Sequence, residues 1–326
     1  MIDQAQLSEK LDPNVRSILE LIEAQGNPPL ETMPVAQARA FVSEHSKPVI
    51  GTPEPVRSVE NLRIPVSGGE VGIRIYTPDT QAPRPALVYF HGGGWVVCDL
   101  ETHDVVCSAI ARRAGAVVVS VDYRLAPEHK FPIAVTDCYD ATVWVASNAE
   151  RLGIDPKRIC VGGDSAGGNL ATVISLKSRN ERGPAIALQA MVYPVTDLSS
   201  FDTSSYSEFA EGYSLSRSMM EWFRDHYLGS VADRENPDAS PLLAQDLSGL
   251  PPALIITAEC DPLRDEGESY AKRLKQAGIA VTLQRYAGMI HPFFSWSGVI
   301  PQAFDAIQQV ADAVRSCGRQ SSIAGA

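Results

Sequence analysis

The sequence predicts an α/β fold in which helices cover both faces of a mostly parallel β-sheet. Apolar runs typical of buried strands alternate with helical patterns, and the 326 residues are enough for one large core. The apolar runs lie near residues 72–76, 85–90, 116–121, 159–162, 188–193, 253–258 and 280–286. The helical patterns lie near residues 102–114, 133–149, 166–179, 264–277 and 301–316.

Residues 61–76 predict an antiparallel hairpin at the entry to the sheet, with Gly68 and Gly69 in its turn. Two stretches do not follow the alternation of strands and helices. They are residues 1–50 and an insertion at 197–235. Their helical patterns cover Pro13 to Ile22, Pro34 to His45 and residues 215–223.

Residues 158–170 have the sequence of a nucleophile elbow, in which a strand breaks into small residues around one serine. Gly163 and Gly167 flank Ser165 as G-x-S-x-G. Glycines at these places let strand and helix approach closely enough to hold the serine on a strained turn. The pattern alone also fits an ordinary glycine-rich loop, so the interpretation depends on the other motifs.

A second glycine-rich segment follows directly from the apolar run 85–90. Backbone N–H groups of glycines can stabilise an oxyanion because no side chain obstructs them. We expect the N–H groups of Gly93 and Gly94 to act in this way, with that of Ala166 as a third donor. Phosphate binding is the alternative, but neither G-x-G-x-x-G nor G-x-x-x-x-G-K-[ST] is present.

A serine nucleophile needs a base and an acid, and after an elbow of this kind they follow in the order acid, then histidine. Only His226 and His291 lie after Ser165. His226 lies in an amphipathic helical pattern, whereas His291 lies in a turn after a strand, so His291 is the expected base. Asp261 is the expected acid, because it follows the apolar run 253–258.

Four motifs in this order resemble the bacterial hormone-sensitive-lipase family (family IV) of carboxylesterases, in the α/β-hydrolase superfamily. The resemblance covers roughly residues 60 to 310, and four ordered motifs make coincidence improbable. The matching features are the HGGG loop at His91, the GDSAG elbow at Ser165, the DPL turn at Asp261, the late His291, and a further similar segment at residues 123–132.

Cys98 departs from the family pattern, which usually has a further glycine at this place. A cysteine there would stiffen the loop of residues 91–98, which we call the oxyanion loop, or make the site sensitive to thiol reagents. Alternatively, Cys98 is a small buried residue at a position that requires no positive φ.

The resemblance implies an α/β-hydrolase fold: a mostly parallel eight-stranded sheet flanked by helices, with a helical cap over the carboxyl ends of the strands. A helical apolar stripe in such a cap is more often a packed face than a pocket wall. The chain divides into an N-terminal part of the cap (1–50), the first part of the core (51–196), a cap insertion (197–235) and the second part of the core (236–326). The expected substrate-binding residues are Trp95, Phe209, Tyr213, Met219 and Phe223.

Together the motifs and the resemblance predict a serine carboxylesterase that hydrolyses short- to medium-chain esters through an acyl-enzyme, without metal or organic cofactor. The motifs say little about the leaving group, so an amide, a lactone or an acetylated metabolite stays an alternative substrate. A ligand-binding protein on this scaffold, as in the related plant gibberellin receptors, would have an incomplete triad, whereas Ser165, Asp261 and His291 are all present. A structural protein would require all four motifs to be incidental.

Composition restricts the partners. The chain has 39 acidic and 28 basic residues and a net charge of −11, which opposes binding to nucleic acid. Residues 1–10 lack the features of a signal peptide, and no segment approaches the roughly 18 apolar residues of a membrane span. We therefore expect a cytoplasmic protein with a small-molecule ester as its substrate and no membrane partner.

Three further expectations concern cysteines, assembly and the end of the chain. The six cysteines are dispersed without a C-x-x-C pair, which suggests neither a zinc site nor a disulfide framework. An edge strand near 280–286 could pair with a second copy, which makes a homodimer one option and a monomer the other. The tail from Gly318 to Ala326 is expected to fray.

Overall fold

An eight-stranded sheet lies between layers of helices in the computed structural model, which describes residues 9–318. The strands are β1 (Ser58–Val66), β2 (Gly69–Thr77), β3 (Arg84–Phe90), β4 (Val117–Asp122), β5 (Ile154–Asp164), β6 (Leu188–Val192), β7 (Ala253–Cys260) and β8 (Val281–Ile290). The α-helices of the described residues are α1 (Pro13–Ala24), α2 (Val35–Ile50), α3 (Asp104–Ala114), α4 (Ile133–Ser147), α5 (Ala149–Leu152), α6 (Ala166–Glu181), α7 (Ser204–Glu208), α8 (Arg217–Tyr227), α9 (Arg264–Gln276) and α10 (Gln302–Ser316).

The strand order is β1-β2-β4-β3-β5-β6-β7-β8. β2 pairs antiparallel with β1 and with β4, and the remaining neighbours are parallel. Apolar side chains fill both faces of the sheet: α4, α6 and α9 cover one face, and α3 and α10 cover the other. Strands that are covered on both faces have nearly continuous apolar sequences. The alternation of such runs with helical patterns therefore predicted this fold class. The predicted fold class is confirmed.

The entry hairpin forms where the sequence predicts it, but its turn lies one residue earlier. Val66 pairs with Gly69, so the turn consists of Ser67 and Gly68, and Gly68 has a φ of 79°. Glycine adopts this left-handed conformation without the strain that a Cβ atom would cause. The N–H of Ser67 donates to a carboxylate oxygen of Asp140 on α4 at 2.6 Å, which ties the turn to the core.

β8 continues four residues beyond the predicted apolar run and reaches Ile290, which pairs with Cys260 on β7. The register shifts before this last pair. Gly288 lies in the shifted part with a φ of 71°, which lets the backbone bend and pairing resume. As a result, His291 directly follows the last residue of β8, whereas the predicted strand would have left a turn of several residues between them.

The two stretches outside the alternation contact each other. Ser218 on α8 donates to the Glu31 carboxylate at 2.5 Å, and Lys10 pairs with Glu208 on α7 at 2.7 Å. Their action as a cap, with the boundaries given above, stays a prediction. None of the helices in residues 9–318 combines the length and apolar composition that crossing a bilayer requires. Of the tail expected to fray, all but Gly318 lies outside the described residues.

Candidate active site

Ser165 lies on a sharp turn between the end of β5 and the start of α6. Its backbone has φ 57° and ψ −118°, a strained conformation for a residue with a side chain. Close packing imposes the turn, because a Cβ atom at Gly163 or Gly167 would overlap the carbonyl oxygen of Phe90 at the end of β3. From the other side, the N–H of Ser165 donates to the carbonyl of Val192 at 2.8 Å. The serine is therefore held on both sides by neighbouring strands.

Three side chains from three separate loops form a hydrogen-bonded relay. Nε2 of His291 lies 3.0 Å from Oγ of Ser165, and Nδ1 of His291 lies 2.9 Å from Oδ2 of Asp261. Asp261 follows β7 and His291 follows β8, so both stand at the carboxyl ends of neighbouring parallel strands. The other carboxylate oxygen accepts from the N–H of Leu263 at 2.9 Å. With Nδ1 donating to the carboxylate, Nε2 is left to accept the proton of the serine hydroxyl.

The relay is almost completely enclosed by protein. Ser165 is 7 % exposed, His291 6 % and Asp261 0 %. The ring of Tyr193 packs on the imidazole with centroids 4.2 Å apart, a contact that no sequence motif signals. His226, the other histidine after the serine, bonds instead to a carbonyl of its own helix. Residues 9–318 contain no group of three or more His, Cys, Asp or Glu side chains placed to hold a metal ion.

The loop after β3 presents backbone N–H groups. Gly93 and Gly94 have φ of 103° and 58°, and the carbonyl of Gly93 accepts from the N–H groups of Val96 and Val97 at 3.0 and 2.9 Å. In the described part of the chain, the N–H groups of Gly93, Gly94 and Ala166 have no hydrogen-bond acceptor. Ala166 is the first residue of α6, where N–H groups are unpaired and the helix dipole is positive. All three donors are thus free to bind an oxyanion.

Asp164, the residue before the serine, is the centre of a buried hydrogen-bond network. Its Oδ1 accepts from the Tyr89 hydroxyl at 2.6 Å and from the N–H of Gly92 at 3.2 Å, and Nε2 of His103 lies 3.3 Å from its Oδ2. Burial alone would raise the pKa of Asp164, but the charge of His103 and the hydrogen bonds from His103 and Tyr89 outweigh burial and lower the pKa. The network connects β3, the elbow and the first glycine of the loop.

His91 begins the glycine-rich loop and is fully buried. Nδ1 of its ring donates to the Gly92 carbonyl at 2.7 Å, and the ring stacks on Tyr123 with centroids 4.3 Å apart. The Tyr123 hydroxyl donates to the His91 carbonyl at 2.8 Å. Burial, helped by nearby His103, lowers the pKa of His91 to about 4. His91 is therefore neutral at pH 7 and supports the loop by packing and hydrogen bonding.

Cys98 has a φ of 69°, so the interpretation of this position as one that requires no positive φ was wrong. The residue lies behind the oxyanion loop, since a Cβ atom at Gly93 would lie 2.9 Å from the Cβ of Cys98. Burial raises the pKa of the Cys98 thiol to about 12, which leaves little reactive thiolate at neutral pH. This pKa argues against sensitivity to thiol reagents, and a stiffer loop stays the prediction.

The predicted substrate-binding residues lie in different surroundings. The ring of Phe223 on α8 lies against the oxyanion loop, because a Cβ atom at Gly94 would overlap it. Trp95 is fully buried and stacks on Tyr227 with centroids 4.2 Å apart. A role in substrate binding stays a prediction for all five. The other three are buried or half-buried in the inserted segment: Phe209, Tyr213 and Met219.

Arg39 on α2 fastens the loop in a way that no local sequence signal predicts. Its guanidinium donates to the carbonyls of Val96 and Ala126 at 2.7 and 2.8 Å. It also pairs with the Glu128 carboxylate at 2.7 Å. Arg39 therefore joins the N-terminal helices to the oxyanion loop and to residues 123–132.

Residues 87–295 of this chain match the model of a protein family that is described as having the alpha/beta hydrolase fold. The chain belongs to this family. The ethyl acetate hydrolase of Pseudomonas putida is 38% identical over 314 residues, which cover 94% of this chain and 98% of that protein. Carboxylesterase NlhH of Mycobacterium tuberculosis is 42% identical over 241 residues, which cover 73% of this chain and 75% of the relative.

Solved structures agree with these relatives. The hyperthermophilic esterase of the archaeon Pyrobaculum calidifontis has a TM-score of 0.91 and 44% identity, and the match covers 94% of this chain and 98% of the other. The resemblance to the carboxylesterases of the hormone-sensitive-lipase family is confirmed. Within the superfamily, the chain is a carboxylic ester hydrolase.

Proposed function

We propose that this carboxylic ester hydrolase cleaves esters of short- to medium-chain acids by acyl transfer through Ser165. One observation carries the proposal. The His291 imidazole connects the Ser165 hydroxyl, at 3.0 Å, to the buried Asp261 carboxylate, at 2.9 Å. This arrangement supplies an oriented base next to a weak nucleophile, which is what acyl transfer to serine requires.

In the first step, Ser165 attacks the ester carbonyl while Nε2 of His291 takes the hydroxyl proton. Asp261 accepts the Nδ1–H hydrogen bond and stabilises the imidazolium that forms. The imidazolium then gives its proton to the departing alcohol, and the acyl group stays on the serine oxygen. A water molecule attacks the acyl-enzyme in the same way, with His291 again as the base, and releases the acid.

The tetrahedral intermediate of each step carries its negative charge on the former carbonyl oxygen. The N–H groups of Gly93, Gly94 and Ala166 are the donors that bind this oxygen. Within residues 9–318 these N–H groups have no acceptor, and this supports the role because donors already free need no bond broken before they bind the oxyanion. Each donor contributes about 2.7–4 kcal/mol to transition-state stabilisation by comparison with known oxyanion holes.

Two observations support a preference for shorter acyl groups. Phe223 lies against Gly94, so the space above the oxyanion loop is restricted by an aromatic ring of the inserted segment. The relative from Pseudomonas putida is named for ethyl acetate, a short ester. We expect kcat/KM for p-nitrophenyl esters to be highest between acetyl and octanoyl and to fall toward dodecanoyl. A maximum at dodecanoyl would overturn the chain-length proposal.

The nucleophile is tested by Ser165→Ala, with Ser175→Ala as a matched control. Ser175 lies on α6, which begins directly after the elbow, and its hydroxyl bonds to a carbonyl one turn earlier at 2.8 Å. Ser165→Ala should lower kcat on p-nitrophenyl butyrate by about 10⁴-fold or more, and Ser175→Ala should keep wild-type activity. If Ser165→Ala is folded by circular dichroism and retains activity, the assignment of the nucleophile is wrong.

Amides, lactones and acetylated metabolites remain the second class of substrate, because the same relay performs acyl transfer with other leaving groups. Comparing p-nitrophenyl butyrate with the corresponding p-nitroanilide and with γ-butyrolactone separates these classes. Location in the cytoplasm and assembly as a homodimer stay predictions from the sequence. β8 is an edge strand of the sheet, and size-exclusion chromatography with light scattering tests whether it pairs two copies.

A further inference from the structure

We propose that Cys160 and Cys317 are a disulfide-forming pair, which a peroxide oxidises to a covalent link between β5 and the end of α10. The two sulfur atoms lie 3.1 Å apart although the residues are 157 positions apart in the chain. All six cysteines are free thiols in the structure. The pair takes no part in the serine relay, so this proposal does not depend on the proposed ester chemistry.

The surroundings of the pair suit a disulfide. Cys160 is fully buried on β5, and Cys317 is 8 % exposed at the end of α10. Both belong to the apolar cluster on the face of the sheet that α3 and α10 cover. A disulfide has an S–S distance of about 2.05 Å, so the sulfur atoms have to approach by about 1 Å. Cys317 directly follows the last residue of α10, so the movement involves the end of a helix and not its middle.

Cys317 is the attacking thiol of the pair, because burial and the hydrogen bond to Cys317 raise the pKa of Cys160. The guanidinium of Arg158 donates to the carbonyls of Cys317 and Arg315 at 2.9 and 2.6 Å. The hydrogen bond from Cys160 and the charge of Arg158 lower the pKa of Cys317. Burial raises the pKa of the four cysteines outside the pair, which are Cys98, Cys107, Cys138 and Cys260.

A surface cavity lies next to the residues that surround this thiol. Arg158 and Arg315, which flank Cys317 in space, also line a surface cavity of about 320 Å³. The cavity is at the end of the sheet opposite the elbow, since β5 begins at Ile154 and ends at Asp164. Hydrogen peroxide is small enough to enter such a cavity, and Cys317, next to these two arginines, is itself 8 % exposed.

The oxidation proceeds in two balanced steps. The Cys317 thiolate attacks one oxygen of hydrogen peroxide, so that an S–O bond forms, the O–O bond breaks, and hydroxide leaves and is protonated to water. The Cys160 thiol then loses its proton and attacks the sulfur of the sulfenic acid. The S–S bond forms, the S–O bond breaks, and a second water leaves. Two thiols and one peroxide thus give one disulfide and two waters.

The link has a measurable effect on stability. It closes a loop of 157 positions in the unfolded chain, and constraining a loop of that length raises the apparent Tm of a chain of this size by about 5 °C. Cys160 lies five positions before Ser165 on an extended strand, about 16 Å away at 3.3 Å per residue. We therefore expect kcat/KM for p-nitrophenyl butyrate to change by less than about twofold.

The test treats the purified full-length protein with hydrogen peroxide and maps the peptides without reduction. We expect one crosslinked peptide pair that contains Cys160 and Cys317, a loss of two titratable thiols in denaturant, and the rise in Tm, all reversed by dithiothreitol. Cys317→Ser should abolish all three effects. Cys138→Ala, a matched change at a buried cysteine outside the pair, should keep them.

Two results would overturn the proposal. The first is oxidation of Cys317 to sulfinic acid with no crosslinked peptide in the wild-type protein, because the neighbouring thiol would then fail to intercept the sulfenic acid. The second is a crosslink that forms while the Tm of the oxidised protein stays equal to that of the reduced protein, because the link would then not fasten α10. The wild-type peptide map decides the first point even if Cys317→Ser does not fold.

Discussion

Removing the Tyr89 hydroxyl tests whether the network around Asp164 holds the oxyanion loop. The hydroxyl donates to Oδ1 of Asp164 at 2.6 Å, and the same oxygen accepts the N–H of Gly92 at 3.2 Å. In Tyr89→Phe the ring keeps its place, but the buried carboxylate loses one donor. Hydrogen bonds to charged groups contribute about 1.5–3 kcal/mol, so we expect the free energy of unfolding to fall by about 2 kcal/mol.

The catalytic effect should be smaller than that of removing an oxyanion donor. Outright loss of one donor costs about 2.7–4 kcal/mol, or 100- to 1000-fold in rate. Tyr89→Phe only loosens Gly92, which precedes the proposed donors Gly93 and Gly94. We therefore expect kcat/KM for p-nitrophenyl butyrate to fall by about tenfold, which is about 1.4 kcal/mol, through kcat and not through KM.

Tyr76→Phe is the matched control. Its hydroxyl donates to Asp104 at the same 2.6 Å, and Tyr76 and Tyr89 are 0 % and 1 % exposed. Asp104 begins α3 and does not belong to the elbow. Urea unfolding should show a similar loss of stability in both variants, whereas steady-state kinetics should show the loss of kcat in Tyr89→Phe alone. Equal kcat/KM values in the two variants would refute the role of the network in the loop.

Further predictions concern pH and acyl-chain length. His91→Phe keeps a ring to stack on Tyr123 but removes a group whose pKa burial lowers to about 4. In the unfolded chain a histidine binds a proton near pH 6.5, so the free energy of unfolding of the wild type should fall by up to about 3 kcal/mol between pH 6.5 and 4. Urea unfolding should show a smaller fall for His91→Phe. Equal falls in the two proteins would contradict the burial argument. Phe223→Leu replaces the ring that lies against Gly94 by a smaller side chain. It should raise the ratio of kcat/KM for octanoyl esters to that for butyryl esters about tenfold. Phe201→Leu, at a buried ring that packs on Tyr206 of the inserted segment, should leave this ratio unchanged. An unchanged ratio in Phe223→Leu would argue against a pocket role for Phe223.

The parts of the site that follow strands were predictable, because their signals are local in the chain. An apolar run followed by small residues identifies Ser165, and another followed by an acid identifies Asp261. Parallel strands bring their carboxyl ends to one edge of the sheet, so residues far apart in the chain were expected to meet there. The geometry of the relay agrees with that expectation, and the catalytic roles are tested by the experiments proposed above.

Other contacts depend on tertiary packing and leave no local signal. In the sequence Arg39 is one arginine within a helical pattern, yet in the structure it is partly buried and fastens the oxyanion loop through Val96. Cys160 and Cys317 meet only because the end of α10 packs beside β5, so their dispersed positions gave no hint of a pair.

Local backbone conformation was also beyond the sequence pattern. Cys98 adopts a positive φ that the sequence did not indicate, because strain of this kind is imposed by the surrounding loop and not by the residue itself. Likewise, β8 resumes pairing after Gly288 although its apolar run has already ended. A bend in the backbone at one glycine therefore decides that His291 directly follows the strand.

Trapping the acyl-enzyme tests the central claim most directly. The protein is mixed with p-nitrophenyl butyrate, quenched in acid within milliseconds and analysed by peptide mass spectrometry. The account predicts a butyryl group, a mass gain of about 70 Da, on the peptide that contains Ser165, and none on that peptide in Ser165→Ala. A butyryl group on another residue, with hydrolysis undiminished in Ser165→Ala, would contradict it.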